Sequence, residues 1–144
     1  MGEAGLADRE EVRVPIARDT DVVVACYKGR AVAERMGLSG TEQAGVIIAI
    51  SEVAHNILRY ARQGEIVIAP LSRNGRYGVG IVARDQGPGI PDIEKALQDG
   101  YSTGGGLGLG LPGAKRLMDE FEIVSHVGVG TTVTMKKWKR KSGQ

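Results

Sequence analysis

The chain has 144 residues, of which 42% are hydrophobic and 25% are charged, as expected for one globular domain rather than a disordered or collagen-like chain. No apolar run approaches the roughly 20 residues needed to span a membrane, and the polar N-terminus lacks a secretory signal. The single cysteine, Cys26, excludes an internal disulfide and indicates a buried thiol. We therefore expect one domain, residues 1–144, in the cytoplasm and without a membrane partner.

The net charge of +2 is unevenly distributed along the chain. The C-terminal run KKWKRK carries five positive charges, and the rest of the chain without them has a net charge of −3. A basic run with one tryptophan can contact nucleic acid, but a solvated strand end is the commoner use. The sequence thus predicts no nucleic-acid partner, with flexible ends at residues 1–9 and 139–144.

The first third of the chain predicts a strand followed by a helix. EVRVPIA (11–17) alternates as a strand does, and Pro15 favours a position at the edge of a sheet. A helix is predicted over 20–36, with Asp19 as its N-cap and Gly37 as its C-terminal stop.

The remaining elements follow from capping, periodicity and turn signals. Ser39 and Glu42 have capping-box spacing and begin a second helix, which is predicted to end near Gln63 and Gly64. Further along, the sequence predicts strands 65–71 and 76–85 joined by an Asn74-Gly75 hairpin, short helix 93–98, a helix through Met118, and strands 121–127 and 131–138. This order predicts an α+β fold, a two-layer α/β sandwich with a mixed, largely antiparallel sheet and helices on one face.

A glycine-rich stretch precedes the last helix. Five glycines fall within seven positions, from Gly104 to Gly110. Glycine lets backbone amides approach a phosphate closely, and a helix N-terminus adds a favourable dipole. A Walker A loop is excluded because Lys115 comes one position late and no Ser or Thr follows it; a Rossmann fingerprint is excluded because no strand precedes the loop. The Gly-Leu alternation argues against a solvated linker.

Two further clusters are candidates for ligand contacts. Glu52 and Asn56 lie four residues apart, so both point from one face of the second helix. Asp85 ends a predicted strand, followed by Gly87 and Gly89, which let a ligand come close.

Taken in chain order, E-x-x-x-N, D-x-G-x-G and G-x-G-L-G-L resemble the N, G1 and G2 boxes of the GHKL ATPase superfamily, with its Bergerat-type ATP-binding fold. Gly130-Thr131-Thr132 resembles the G-T-T turn of the same group. Within the superfamily the chain is most similar to the RsbT group of serine-protein kinases, through SEVAHNILRYA and DGYSTGGGLGLGLPGAKRLMDEFEI. The resemblance covers nearly the whole chain except the first ten residues and the basic tail.

The resemblance implies that ATP and Mg²⁺ bind between the second helix and the glycine loop. Asn56 is expected to ligate Mg²⁺, Asp85 to accept a hydrogen bond from the adenine amino group, and Glu52 to act as general base. The remaining contacts that it implies for the nucleotide are made by Gly87, Gly89, Gly106, Gly108, Leu109, Gly110 and Thr131.

The resemblance also implies a function. It is that of an ATP-dependent protein serine/threonine kinase that phosphorylates STAS-domain stressosome proteins. Partner switching then activates a downstream effector such as a PP2C-type phosphatase. Two alternatives stay open: an anti-sigma factor serine kinase of the RsbW or SpoIIAB type, and a non-catalytic binding module gated by nucleotide. Binding of a sigma factor would distinguish the anti-sigma factor kinase from the RsbT-type kinase. Absence of phosphate transfer would distinguish the binding module from both kinases.

Overall fold

The computed structural model describes residues 10–98 and 110–140. In chain order the elements are strand β1 (Val12–Ile16), helices α1 (Asp19–Arg35) and α2 (Gly40–Tyr60), strands β2 (Gly64–Arg73) and β3 (Arg76–Asp85), short helix α3 (Ile93–Ala96), helix α4 (Gly110–Leu117), and strands β4 (Glu120–His126) and β5 (Gly130–Trp138). This is the order that the sequence predicts. None of the helices in the described ranges is long and apolar enough to cross a membrane.

The five strands form one sheet in the order β1-β2-β3-β5-β4. Each neighbouring pair is antiparallel, so the described sheet is wholly antiparallel rather than mixed. Hairpins impose this for β2–β3 and β4–β5, and the two successive helices between β1 and β2 return the chain in the opposite direction. Strand β1 lies at the edge, as Pro15 predicts, and Pro15 pairs with Glu65 of β2.

One hydrophobic core lies between the sheet and the helices. Helix α2 crosses its centre, and its side chains at Ile50, Val53 and Ile57 are buried. Strand residues such as Ile68 and Met135 meet them from the sheet. Each large side chain buried in this way contributes about 1.5–3 kcal/mol to folding. The predicted two-layer α+β sandwich, with helices on one face, is confirmed.

The capping box of α2 is formed as predicted. The amide of Glu42 donates to Ser39 Oγ at 3.1 Å, and the amide of Ser39 donates to Glu42 Oε1 at 2.7 Å. The prediction for α1 was wrong by one residue: Arg18 is the N-cap, and Asp19 is the first helical residue. Asp21, not Asp19, reaches back, because its carboxylate accepts from the amides of both Ala17 and Arg18 at 2.8 and 3.1 Å.

The chain reversals follow the predicted turn residues. Gly37 ends α1 with a φ of 86°, and Asn74 and Gly75 form the β2–β3 hairpin with φ of 51° and 79°. Helix α2 ends at Tyr60, three residues earlier than predicted, because Arg62 adopts a left-handed φ of 71° before β2 begins.

Much of the basic C-terminal run belongs to β5. Beyond the strand, the amide of Lys139 donates to the carbonyl of Tyr77 at 2.8 Å, and the amide of Arg140 donates to Glu42 Oε2 at 3.0 Å. Of the ends predicted to be flexible, residues 139 and 140 are thus held by hydrogen bonds, whereas residues 1–9 and 141–144 lie outside the described residues.

Cys26 is a half-buried residue of α1. Its Sγ lies 3.5 Å from the carbonyl oxygen of Ile47 on α2. Burial raises the pKa of the thiol above its usual value, which keeps it protonated and unreactive. The thiol predicted to be buried is thus only partly buried, although Cys26 packs against the core.

Candidate nucleotide site

Four residues form a row across one end of the sheet. Gly64 of β2 pairs with Asp85 of β3, Asp85 pairs with Thr131 of β5, and Thr131 pairs with Ser125 of β4. Directly paired residues point to the same side of a sheet, and this is the side of the buried Ala83, two residues before Asp85. The row therefore faces the helix layer, and Gly64 is closely packed there, since a Cβ atom at this position would lie 2.9 Å from Ile57 Cγ2 of α2.

The loop after β3 packs tightly against its neighbours, and its two glycines allow this. The amide of Gly87 donates to Asp85 Oδ1 at 2.9 Å. A Cβ atom at Gly87 would lie 2.5 Å from the Cβ of Ala61, at the end of α2. Gly89 has a φ of 81°, and a Cβ there would lie only 2.8 Å from the carbonyl carbon of His126. The D-x-G-x-G motif thus sets where Asp85 stands relative to α2.

Helix α2 carries the other two candidate residues. Glu52 and Asn56 lie one turn apart, as predicted; Glu52 is buried, with 3% of its surface exposed, and Asn56 is half-buried. The amide of Gly110 donates to Glu52 Oε1 at 3.0 Å. Since Gly110 is the first residue of α4, the carboxylate lies at the positive end of that helix.

Helix α4 anchors the end of the glycine-rich stretch. Gly110 begins the helix with a φ of 62°, which favours glycine, and Leu111 and Ala114 are buried against the core. Leu117 of α4 lies close to Gly45 of α2. A Cβ atom placed at Gly45 would be 3.6 Å from the carbonyl oxygen of Leu117 and 3.9 Å from its Cβ. The other predicted residues of this stretch, Gly106, Gly108 and Leu109, lie outside the described residues.

A hydrogen-bond network that the motifs do not reveal lies beside Thr131. Ser125 Oγ accepts from the amide of Ile90 at 2.7 Å and lies 2.8 Å from Thr131 Oγ1. Thr131 itself is buried, with 5% of its surface exposed. Sequence reasoning missed Ser125, because the predicted hairpin of strands 121–127 and 131–138 would pair residue 127 with Thr131, whereas the structure pairs Ser125 with Thr131.

The two histidines, His55 and His126, lie in α2 and at the end of β4. His55 is next to Asn56 in sequence, but its Nδ1 lies 2.8 Å from the carbonyl oxygen of Ser51, within its own helix. His126 ends β4 with an exposed side chain.

A surface cavity of about 580 Å³ lies at the same end of the sheet but on its other face. Asp85 and Thr131 contribute to its wall, whereas Glu65, Arg84 and Thr132 point into it from the side away from the helices. Arg84 Nη2 pairs with Glu65 Oε2 at 2.7 Å, so these charges neutralise each other. The candidate residues on α2 lie on the opposite side of the sheet, where Asp85 faces them.

Comparison with known proteins gives consistent relatives. The sequence model of the family described as a histidine kinase-like ATPase domain matches residues 16–137. The serine/threonine-protein kinase RsbT of Bacillus subtilis (strain 168) is 50% identical over 127 residues, 88% of this chain and 96% of that protein. The anti-sigma F factor of Halalkalibacterium halodurans is 35% identical over 100 residues, 65% of this chain and 67% of that protein.

One solved structure has a similar fold. The RsbU and RsbW domains of a Mycobacterium tuberculosis protein superpose with a TM-score of 0.60 at 17% identity, over 91% of this chain. This chain spans 33% of that structure. At this identity the similarity shows the fold alone.

Proposed function

Because the chain belongs to the histidine kinase-like ATPase family and, within it, to the RsbT serine/threonine-protein kinases, we propose that its substrates are STAS-domain stressosome proteins. It is a protein serine/threonine kinase that uses ATP. Two observations support the site assignment: Asp85 and Thr131 pair across β3 and β5 on the side of the sheet that faces the helices, and Glu52 is buried on α2 in that helix layer.

Adenine is recognised at the end of the sheet that carries Asp85 and Thr131. Asp85 accepts a hydrogen bond from the exocyclic amino group of the base, and Thr131, its cross-strand partner, contacts the same edge. Gly87 and Gly89 support this position, since any side chain at Gly87 would push the loop away from α2. The hydrogen bond that the Gly87 amide donates to Asp85 Oδ1 fixes the orientation of the carboxylate.

The residues present fit Mg²⁺ bound together with the phosphates. The described residues contain no group of three His, Cys, Asp or Glu side chains that could hold a metal without further ligands. Mg²⁺ keeps several waters and takes phosphate oxygens readily, so the amide oxygen of Asn56 suffices as a protein ligand. When bound, the ion neutralises charge that develops on the phosphate oxygens.

We infer that backbone amides of the glycine-rich stretch, at Gly106, Gly108 and Gly110, hold the phosphates and that Leu109 is a further residue of the nucleotide site. In the structure the Gly110 amide donates to Glu52. In this position the Gly110 amide orients the Glu52 carboxylate.

Glu52 is the general base of the transfer. The hydroxyl oxygen of the substrate Ser or Thr attacks the γ-phosphorus, the bond from that phosphorus to the β,γ-bridging oxygen breaks, and ADP leaves. The hydroxyl proton passes to the Glu52 carboxylate. A base positioned in this way contributes about 10²–10⁴-fold, and most of the remaining acceleration comes from positioning and charge neutralisation.

Phosphorylation then switches partners in the cytoplasm. A phosphate adds negative charge to the substrate surface, and repulsion together with desolvation releases the kinase. The free kinase binds and activates a downstream effector such as a PP2C-type phosphatase. A second candidate is an anti-sigma factor serine kinase, favoured by the 35% identity to an anti-sigma F factor. Sigma-factor binding by this chain would support that alternative.

The test is transfer of labelled γ-phosphate from ATP to a cognate STAS-domain protein in the presence of Mg²⁺. We expect transfer to Ser or Thr by wild type and loss of transfer in Asn56→Ala and Asp85→Asn. Glu122→Gln, an exposed carboxylate on β4, serves as the matched control and should retain full activity. Tight binding of ATP and of the partner without any transfer would instead favour the non-catalytic binding module.

A further inference from the structure

Ser125 connects three parts of the adenine end of the site. Its hydroxyl contacts the loop that follows β3 through the amide of Ile90, the β4–β5 hairpin through the carbonyl of Gly130, and the side chain of Thr131. Thr131 pairs with Ser125 on one side and with Asp85 on the other. A change at Ser125 therefore reaches the ligand only through Thr131 or the loop.

The protons in this network can be placed from simple chemistry. A serine hydroxyl has one proton and two acceptor positions. The Ile90 amide can only donate to it, at 2.7 Å, and the Gly130 carbonyl can only accept from it, at 3.3 Å. The 2.8 Å contact with Thr131 Oγ1 is then a bond in which Thr131 donates. This is the one arrangement in which all three contacts of Ser125 are hydrogen bonds.

We propose that Ser125 is a positioning residue that sets the base specificity of the site, because it takes the proton of Thr131 and leaves the Thr131 oxygen as an acceptor. Asp85 and Thr131 then present acceptors side by side to the base. The inference rests on the proposed ATP site and adds to it the reason for choosing adenine.

The consequence is discrimination at position 6 of the purine. Adenine has an amino group there, which donates to both acceptors. Hypoxanthine has a carbonyl oxygen there, which would face a carboxylate and an oxygen whose proton is already used. A site built around such fixed acceptors rejects a ligand that cannot donate to them. Without Ser125 the Thr131 hydroxyl is free to rotate and donate to that carbonyl.

The experiment compares the dissociation constants of ATP and inosine triphosphate by calorimetry, with Mg²⁺, for wild type and Ser125→Ala. Wild type is expected to bind ATP more tightly. In Ser125→Ala the ratio of the two constants should fall about fivefold, the equivalent of one net hydrogen bond of about 1 kcal/mol. Thr132→Val is the matched control, since it removes a hydroxyl from the neighbouring residue on the other face of the sheet; it should leave the ratio unchanged.

Two further variants separate specificity from structure. Ser125→Thr keeps the hydroxyl and should keep the wild-type ratio. Thr131→Val removes the hydroxyl that Ser125 acts on, so adding Ser125→Ala to it should not change the ratio further. An effect of Ser125→Ala that persists in the Thr131→Val background would overturn the proposal.

The remaining outcomes distinguish this proposal from the proposed function. If wild type binds ATP and Ser125→Ala weakens ATP and inosine triphosphate by the same factor, the kinase site stands and the role of Ser125 in specificity is wrong. If wild type binds neither nucleotide, the proposed site and the specificity mechanism both fail.

Discussion

Replacement of Glu52 separates a chemical role of its carboxylate from a structural one. Glu52 is 3% exposed and accepts the Gly110 amide at 3.0 Å, so alanine removes both a base and a buried charged acceptor. A hydrogen bond to a charged group contributes about 1.5–3 kcal/mol. For a domain of this size, a loss of about 2–3 kcal/mol lowers the melting temperature by roughly 6–12 °C. Glutamine keeps an acceptor oxygen for Gly110, and we expect Glu52→Gln to lower it by no more than about 4 °C.

The rates should not follow the stabilities. Both Glu52→Ala and Glu52→Gln remove the base, so single-turnover transfer at saturating ATP should fall about 10²–10⁴-fold in each. The assay measures phosphate transfer to the STAS-domain substrate beside thermal unfolding of the same preparations. If Glu52→Gln transferred phosphate within tenfold of the wild-type rate, Glu52 would be a residue that anchors α4 and not a base.

Three further predictions concern the Mg²⁺ dependence of ATP binding, the stability of two glycine variants in the helices, and the stability of the protein in acid. In Asn56→Ala, Mg²⁺ should no longer strengthen ATP binding, while binding measured in EDTA stays near wild type; equal Mg²⁺ enhancement in both proteins would contradict Asn56 as the ligand. Gly45→Ala in α2 meets only ordinary contacts and should stabilise by about 0.5–1 kcal/mol, whereas Gly29→Ala in α1 would collide with a core isoleucine and should destabilise by about 1–3 kcal/mol, as urea unfolding will measure. The hydrogen bond from Trp138 holds the pKa of Glu120 below its usual 4.5. The ionised carboxylate therefore contributes fully to the folding stability above that pH, and this contribution is lost as the pH falls below it. Glu120→Gln should therefore flatten the acid limb of the stability curve, and an unchanged limb would refute this.

The tertiary structure adds a reason for the tail to remain near the helices. Glu42 is buried and serves the capping box through one oxygen and the Arg140 amide through the other. The run that sequence composition assigns to a solvated end thus begins as a strand and then closes over the start of α2. Its positive charges are partly used inside the protein, as in the contact of Lys137 Nζ with the Leu117 carbonyl at 2.9 Å.

The sequence alone determined the features that depend on neighbouring residues. The capping box at Ser39, the stop at Gly37 and the Asn74-Gly75 hairpin follow from backbone preferences that act within a few residues. The three boxes also identified the family, because their residue types and order are specific even where each alone is weak. The N-cap of α1 was missed because Asp19 and Asp21 are both suitable acceptors, and only the geometry of the first turn chooses between them.

Only the tertiary structure decided which distant groups meet. The bond from Gly110 to Glu52 spans 58 positions of sequence, and the bond from Arg140 to Glu42 spans 98. Ser125 reaches the site because β5 lies between β3 and β4, which brings it into one row with Thr131 and Asp85. Local preferences carry no information about strand order. That order is fixed when the apolar faces of the sheet and of α2 are buried together, and the hydrogen bonds of the site follow from it.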